Sequence, residues 1–391
     1  MEHFAIVLGL CRSAMKNSNP ALRSHMERMA KALEKDGSTE QSVAVRKLLQ
    51  SAESLDEISP SRVVLSRALL RGELLTPNVT APVDRETGHP LADIFLPNLR
   101  EAKPPIFNAQ LRGAINNLLD EWRHVDELKD AGINPAWATM LFGAPGTGKT
   151  MLAHHIAQEL GLPLVIARLD GLISSFLGTT ARNISTLFGF ANRYKCVLLL
   201  DEFDAVAKMR DDPHELGEIK RVVNTLLQCI DSRANAGFTI AITNHESLLD
   251  PAIWRRFDIR IEIPKPEADT RMHILKQCFS EWDLDGHEIR LMTWLTDEGS
   301  GSEILKLTEF IKRQQAIRKQ GFNFLQSIRS YVQMSAYENQ SRNRSLVCDD
   351  DETFAHALAV DRNVPLSQEQ LATLFGCTQP TISRWLKKEK V

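Results

Sequence analysis

Residues 143–150 read Gly-Ala-Pro-Gly-Thr-Gly-Lys-Thr, and this run constrains the fold more than any other feature of the chain. A G-x-x-x-x-G-K-[ST] loop curls its backbone N–H groups around an anion. Gly143, Gly146 and Gly148 permit this because they can adopt dihedrals that a Cβ would forbid. Such a loop must be delivered by a strand and must open a helix whose positive N-terminus faces the anion. The flanks comply, with apolar strand residues at 139–142 before the loop and a helical pattern at 151–160 after it. Farther along, Val197-Leu198-Leu199-Leu200 is an apolar β-run that ends in two carboxylates, Asp201 and Glu202.

Together these residues predict a site for a nucleoside triphosphate with Mg²⁺. Gly143, Ala144, Pro145, Gly146, Thr147, Gly148, Lys149, Thr150 and Met151 form the expected cradle. Within it, Lys149 supplies charge to the β and γ phosphates and Thr150 offers its hydroxyl to the metal. Asp201 is placed to hold the Mg²⁺ shell, and Glu202 to orient or deprotonate the attacking water. A G protein would usually lack that glutamate, so the pair argues for ATP as the substrate and for hydrolysis. An acidic strand end capping the next helix is the bland alternative.

At 391 residues the chain has room for two or three domains. A net charge of −3 with 43% hydrophobic residues gives no global argument for nucleic acid or membrane. Six cysteines without a C-x-x-C pair suggest neither a zinc site nor a disulfide framework, and point to reduced thiols in the cytoplasm. The apolar run at 4–10 is too short to span a bilayer.

Residues 1–74 have a helical pattern, with a capping box expected at Ser38-x-x-Gln41. Prolines at 77, 82, 90, 97, 104 and 105 mark residues 76–105 as linker and domain entrance. A helix is expected over 110–129. Strand runs at 139–142, 163–168, 196–200, 238–242 and 259–263 then alternate with helical segments, which implies a parallel sheet with helices on both faces. After Pro264-Lys265-Pro266 the β signal vanishes. Residues 271–319 read as a helical lid, and Asp349-Asp350-Asp351-Glu352 as a helix N-terminus or a solvated loop.

The order of motifs resembles the AAA ATPases in the narrow sense, whose relatives include AAA proteases and proteasomal ATPases. The resemblance covers roughly residues 86–320. Residues 143–150 correspond to Walker A, and Leu198-Leu199-Leu200-Asp201-Glu202-Phe203-Asp204 to Walker B. Ala241-Ile242-Thr243-Asn244 matches the strand end that carries sensor 1, which implies Asn244 beside the γ phosphate. Asp250-Pro251-Ala252-Ile253-Trp254-Arg255-Arg256-Phe257-Asp258 is similar to the second region of homology. By that likeness Arg255 and Arg256 inherit the role of fingers reaching a neighbour's site; the Pro-Gly that usually parts them is missing, so which is the finger stays open. Residues 170–178 are similar to the segment with pore loop 1, and Phe176 and Leu177 stand where relatives grip an unfolded protein client. Residues 299–304, Gly-Ser-Gly-Ser-Glu-Ile, resemble the opening of a lid helix that lacks a sensor 2 arginine. Fingers acting between copies imply a homo-oligomeric ring, most often a hexamer.

The resemblance thus implies an α/β fold: a parallel-sheet P-loop AAA domain with helices on both faces, followed by a helical lid. The expected division is 1–85 helical module and linker, 86–264 large ATPase domain, 265–345 lid and 346–391 tail. Residues 366–388 of the tail, LSQEQLATLFGCTQPTISRWLKK, fit a helix-turn-helix and look like the DNA-binding units of phage repressors and Cro-type regulators. Ala372 sits at the helix crossing and Gly376 at the turn, while Leu371, Phe375, Ile382 and Trp385 form the apolar seam. Thr378, Gln379, Thr381, Ser383 and Arg384 are the candidates to reach duplex DNA, with Lys387, Lys388 and Lys390 adding charge. A helical hairpin that packs on a partner or on the ATPase lid is the alternative.

Two functions follow. In the first, an ATP-driven ring remodels or unfolds proteins. No H-E-x-x-H or G-x-S-x-G signature is present, so proteolysis would need a separate protease; the layout also resembles bacterial stand-alone ATPases found beside a subtilisin-like protease. In the second, a DNA-associated ATPase uses the tail in regulation, transposition or phage defence.

Overall fold

Side-chain alternation divides the central strands between two hydrophobic cores. The computed structural model describes residues 28–30, 32–35, 38, 41–43, 45, 72–97, 104–168, 172, 177–204, 216–233, 237–249, 251–282, 284–335, 341–361 and 363–387. The chain divides into two units, Met1–Ser66 and Arg67–Val391. In the first, residues 28–30, 32–35 and 41–43 are helical, and the Ser42 hydroxyl donates to the Ala30 carbonyl at 3.0 Å beside buried Leu33 and Val45.

The second unit holds six strands: β1 (Ala92–Phe95), β2 (Ala138–Phe142), β3 (Leu164–Ala167), β4 (Val197–Leu200), β5 (Thr239–Thr243) and β6 (Ile259–Glu262). They lie in the order β1-β3-β4-β5-β2-β6, parallel except for β1. Every residue of β4 and β5 is buried, as expected of strands covered on both faces. Met140, Leu198, Leu200 and Ala241 face one core; Leu141, Val197, Leu199, Ile240 and Ile242 face the other.

Helices α1 (Ala109–Arg123), α2 (Val125–Asp130) and α3 (Lys149–Glu159) precede β3, while α4 (Leu177–Arg193) and α5 (Leu216–Arg233) flank β4. Leu118, Trp122, Leu152 and Ile156 complete the second core; Leu187, Phe188, Leu226 and Ile230 complete the first. Each such side chain contributes about 1.5–3 kcal/mol on leaving water.

Two local expectations change. The helix expected over 110–129 breaks at His124, whose backbone (φ −107°, ψ 26°) ends α1 while its N–H bonds back to Asp120 and Glu121. Just before it, Trp122 is held by an indole N–H donated to the Ala136 carbonyl at 2.7 Å and by stacking on Phe238. The second change lies inside the proline-rich stretch, where β1 pairs antiparallel with β3, Ala92 opposite Ala167. Leu75, Leu91 and Ala92 sit in the first core, so this stretch packs as part of the sheet domain. Its prolines fall outside the four residues paired with β3, Pro90 being bridged instead to Val83, which is why β1 can still add an edge strand.

Beyond β6 the structure is helical: α6 (Pro251–Trp254) precedes β6, and α7 (Ala268–Cys278), α8 (Gly286–Leu295), α9 (Gly301–Arg318), α10 (Phe324–Met334), α11 (Arg342–Val347), α12 (Asp351–Val360), α13 (Gln368–Phe375) and α14 (Gln379–Lys387) follow it. Caps set the boundaries. Asp285, Ser300 and Ser367 each form a full capping box, and Asp350 receives the Thr353 N–H at 2.9 Å, so the charged stretch is a helix N-terminus. Gly376, at φ 63°, ends α13 in the left-handed conformation. One hydrophobic cluster runs from Leu275 through Ile304, Leu307, Phe354 and Leu371 to Ile382, so the tail shares its core with the lid. No helix among the described residues is long and apolar enough to cross a membrane.

Candidate functional site

The glycines of the loop after β2 adopt the conformations that their positions require. Gly143, Gly146 and Gly148 have φ of 135°, 76° and 98°. At Gly143 a Cβ would stand 2.4 Å from the Ile263 carbonyl oxygen, so the loop can leave β2 beside the end of β6 only as glycine. Gly148 then caps α3, whose first residue is Lys149.

Lys149 is only 4% exposed, and its ammonium donates to the carbonyls of Gly143 at 2.9 Å and Ala144 at 2.7 Å. Burial pushes its pKa below the ordinary lysine value, while the negative charges of Asp201 and Asp204 act in the opposite direction. A triphosphate would bring further negative charge to this ammonium. Next to it, the Thr150 hydroxyl donates to Asp201 Oδ2 at 2.9 Å, bringing together two hard oxygen ligands of the kind Mg²⁺ takes. Among the described residues no group of three His, Cys, Asp or Glu side chains could hold a metal, so phosphate oxygens and water would complete the shell.

Asp201 also acts on its neighbour. Its Oδ1 accepts the Glu202 N–H at 2.8 Å, and Glu202 is held at φ 51°, an unusual backbone for a residue with a Cβ. The Glu202 side chain is exposed, and lines the same cavity as Lys149, Thr150, Asp201 and Asn244. That cavity has a volume of about 670 Å³, room enough for a nucleotide. Its far wall is made by Ile106 and Phe107 before α1, by Ile274 and Gln277 of α7, and by Leu305 and Thr308 of α9.

One participant carries no role in the sequence reading. Asp204 is buried, and its Oδ1 accepts from the Thr243 hydroxyl at 3.3 Å and the Asn244 N–H at 3.5 Å. It ties the end of β5 to the segment after β4. The spacing Asp201-Glu202-Phe203-Asp204 was the available signal. Ser300 and Ser302 open the lid helix as the resemblance implies, and they add a contact it does not: the Ser302 N–H donates to the Gly146 carbonyl at 3.0 Å, so the start of α9 rests on the phosphate loop.

Arg255 and Arg256 are not part of this cavity. Both are exposed beside Ala138 and Thr239, the first residues of β2 and β5, whereas the phosphate loop leaves the last residue of β2. The five residues of β2 separate them, a span of about 15 Å along the sheet. Arg256 is held there by an ion pair with Asp231 of α5 at 2.9 Å. Phe176 and Asp250 lie outside the described residues, as do Lys388 and Lys390; Leu177 begins α4.

Residues 139–265 match the model of the ATPase family associated with various cellular activities (AAA). This stretch is an AAA ATPase domain. The chain is 48% identical over 162 residues to an uncharacterized AAA family ATPase, y4kL, of Sinorhizobium fredii, covering 41% of this chain and 49% of that protein. It is 34% identical over 204 residues to a proteasome-activating nucleotidase of Pyrococcus furiosus, covering 50% of each. A proteasome-activating nucleotidase of Methanococcus maripaludis is 34% identical over 221 residues, 52% of this chain and 54% of the relative. The chain therefore spans about half the length of the curated relatives it matches. Within the AAA domain lie the loop, both acidic residues, Asn244 and the arginine pair; the walls supplied by α7 and α9 lie beyond its matched end.

Proposed function

We propose that the chain is an Mg²⁺-dependent ATPase working as a closed ring of identical copies, six in the simplest case, that remodels or unfolds protein clients. The observation that carries the ring is the position of Arg255 and Arg256, a full strand length from the chain's own phosphate loop. They can serve a phosphoryl group only in a neighbour. Relatives named proteasome-activating nucleotidase support work on proteins, and any degradation then falls to a separate protease.

Lys149 and the N–H groups opening α3 hold the phosphates. Thr150 and Asp201 hold Mg²⁺, which when bound draws charge from the β and γ phosphates. Glu202 orients the attacking water and takes its proton, while Asn244, fixed by Asp204, stands beside the γ phosphate. The neighbour's Arg255 or Arg256 stabilises charge on the transferring group. In this reading Phe176 grips the client.

The test is the rate of ATP turnover with and without a permanently unfolded polypeptide. Stimulation that disappears in Phe176→Ala supports remodelling; turnover indifferent to unfolded protein overturns it.

A further inference from the structure

The tail has one side buried in the lid core and the other turned outward. On α13 and α14, Leu371, Ala372 and Ile382 are buried in the same cluster as Ile304 and Leu307 of α9. Gly376 provides the tight turn between them, with the Cys377 N–H donated back to the Ala372 carbonyl at 3.0 Å. Outward on α14 stand Gln379, Pro380, Arg384 and Lys387, with exposed Thr378 just before it, and the helix contains no acidic residue. The Thr378 and Thr381 hydroxyls stand 3.0 Å apart and Arg384 donates to Thr381 at 3.4 Å, which orders this face.

A two-helix element of this kind presents its second helix to the major groove, where Gln can pair with adenine and Arg with guanine or phosphate. The outward face of α14 carries two cations and a glutamine without an anion, a balance that suits phosphate, while exposed Glu369 stands at the start of α13 and Asp351 of α12 acts on Cys377 at the turn.

The same element is mechanically continuous with the nucleotide cavity. An aromatic chain runs from Trp294 of α8 through Phe354 of α12 and Phe375 of α13 to Trp385 of α14, with successive ring centroids 5.7, 5.4 and 5.9 Å apart. Arg290 of α8 donates to the Pro365 carbonyl at 2.9 Å, just before α13. At the other end of this helical body, α9 rests on Gly146 and, with α7, walls the cavity. A ligand that bridges the phosphate loop and these walls biases where the whole body sits, and the tail goes with it.

We propose that α13 and α14 bind duplex DNA, and that this binding is coupled to nucleotide occupancy because the DNA-reading helix is part of the nucleotide lid. The coupling rests on the proposed ATP site but not on the remodelling role. The test uses the full-length protein and a labelled mixed-sequence duplex of about 30 base pairs at low salt. Wild type should bind, and Arg384→Gln/Lys387→Gln should lose about tenfold or more in affinity and about two in the salt slope. Melting temperature checks that the variant is folded. Duplex affinity of the Glu202→Gln chain should differ at least about fivefold between saturating ATP and no nucleotide, and saturating duplex should shift ATP affinity by the same factor.

No duplex binding, or binding indifferent to the double substitution, overturns the DNA site; equal duplex affinity with and without ATP overturns the coupling. ATP binding is titrated in the same samples. A chain that binds duplex but not ATP overturns the nucleotide reading as well, whereas ATP binding without duplex binding overturns this proposal alone.

Discussion

Glu202 is held in a backbone conformation that its side chain does not favour, and the Asp201 carboxylate that holds it also touches Thr150. The acid that would bind the metal therefore also sets the direction of the acid that would take the proton. Glu202→Gln keeps the shape and loses the base. It should bind ATP with near-normal affinity while turnover falls by about 10²–10⁴-fold, measured by equilibrium titration beside steady-state phosphate release. Turnover at the wild-type rate would remove Glu202 from the mechanism. Asp204 makes a separate prediction. Asp204→Asn can still accept from the Thr243 hydroxyl but brings no negative charge toward Lys149, whereas Asp204→Ala leaves the buried Thr243 hydroxyl and Asn244 N–H short of an acceptor. The alanine variant should lose more turnover than the asparagine variant, with a smaller change in KM than in kcat. Sequence alone shows Asp204 only as one more acidic residue after an apolar strand. Its role depends on β5 lying beside β4, which is a tertiary fact.

Among the elements, the phosphate loop and α9 meet closely, with the Ser302 N–H donated to the Gly146 carbonyl at 3.0 Å. A Cβ on Gly146 would come within 2.1 Å of Ser302 Oγ and 2.9 Å of Ser300 Oγ, on a backbone whose φ is already 76°. Gly146→Ala should weaken ATP binding by about tenfold or more, an energy of about 1.4 kcal/mol in the range of local strain. Gly146→Ala/Ser302→Gly, which removes the nearest atom and leaves Ser300 Oγ in place, should recover part of the loss in the same titration. Cross-bracing elsewhere is equally specific. Arg233, fully buried at the end of α5, donates to Asn192 of α4 at 3.1 Å and to the carbonyls of Cys196 at 2.9 Å and Phe238 at 3.3 Å. Burial drives its pKa down from the usual arginine value, yet these acceptors hold both terminal nitrogens while Nε is buried without a partner. Arg233→Ala should cost about 3 kcal/mol in stability, read by denaturant melts, and Arg233→Lys should not restore it because an ammonium lacks the planar fork. The parallel strands β2 to β5 were legible at this scale, because burial on both faces leaves a nearly continuous apolar run, whereas β6 alternates Ile259 and Ile261 with exposed Arg260 and Glu262. β1 was not, since pairing with β3 rather than local composition makes it a strand.

At the scale of the whole molecule, the legible parts are those whose chemistry is local. The phosphate loop, the acidic strand tip and the turn at Gly376 each declare themselves within a few residues. Packing of the tail on the lid was legible only as one alternative, because Trp294, Phe354, Phe375 and Trp385 are separate in sequence and meet only after folding. The arginine pair lies between these cases: its sequence context pointed to a shared site, and its distance from the chain's own loop gives that idea a physical basis. Mixed assemblies test it. Lys149→Ala subunits should bind phosphates poorly but keep their arginines, and Arg256→Ala subunits should keep an intact loop while losing the side chain now paired with Asp231. Each variant alone should fall by about 10²-fold or more in turnover. Mixed before assembly, they place some intact loops beside some intact arginines, and ATP turnover should rise above the sum of the separate samples. The same mixture made with Arg255→Ala tells which arginine acts, since only loss of the acting one creates a deficit that its neighbour can repair. If no mixture exceeds the sum, each chain completes its own site, and Arg255 and Arg256 serve only the surface on which they stand.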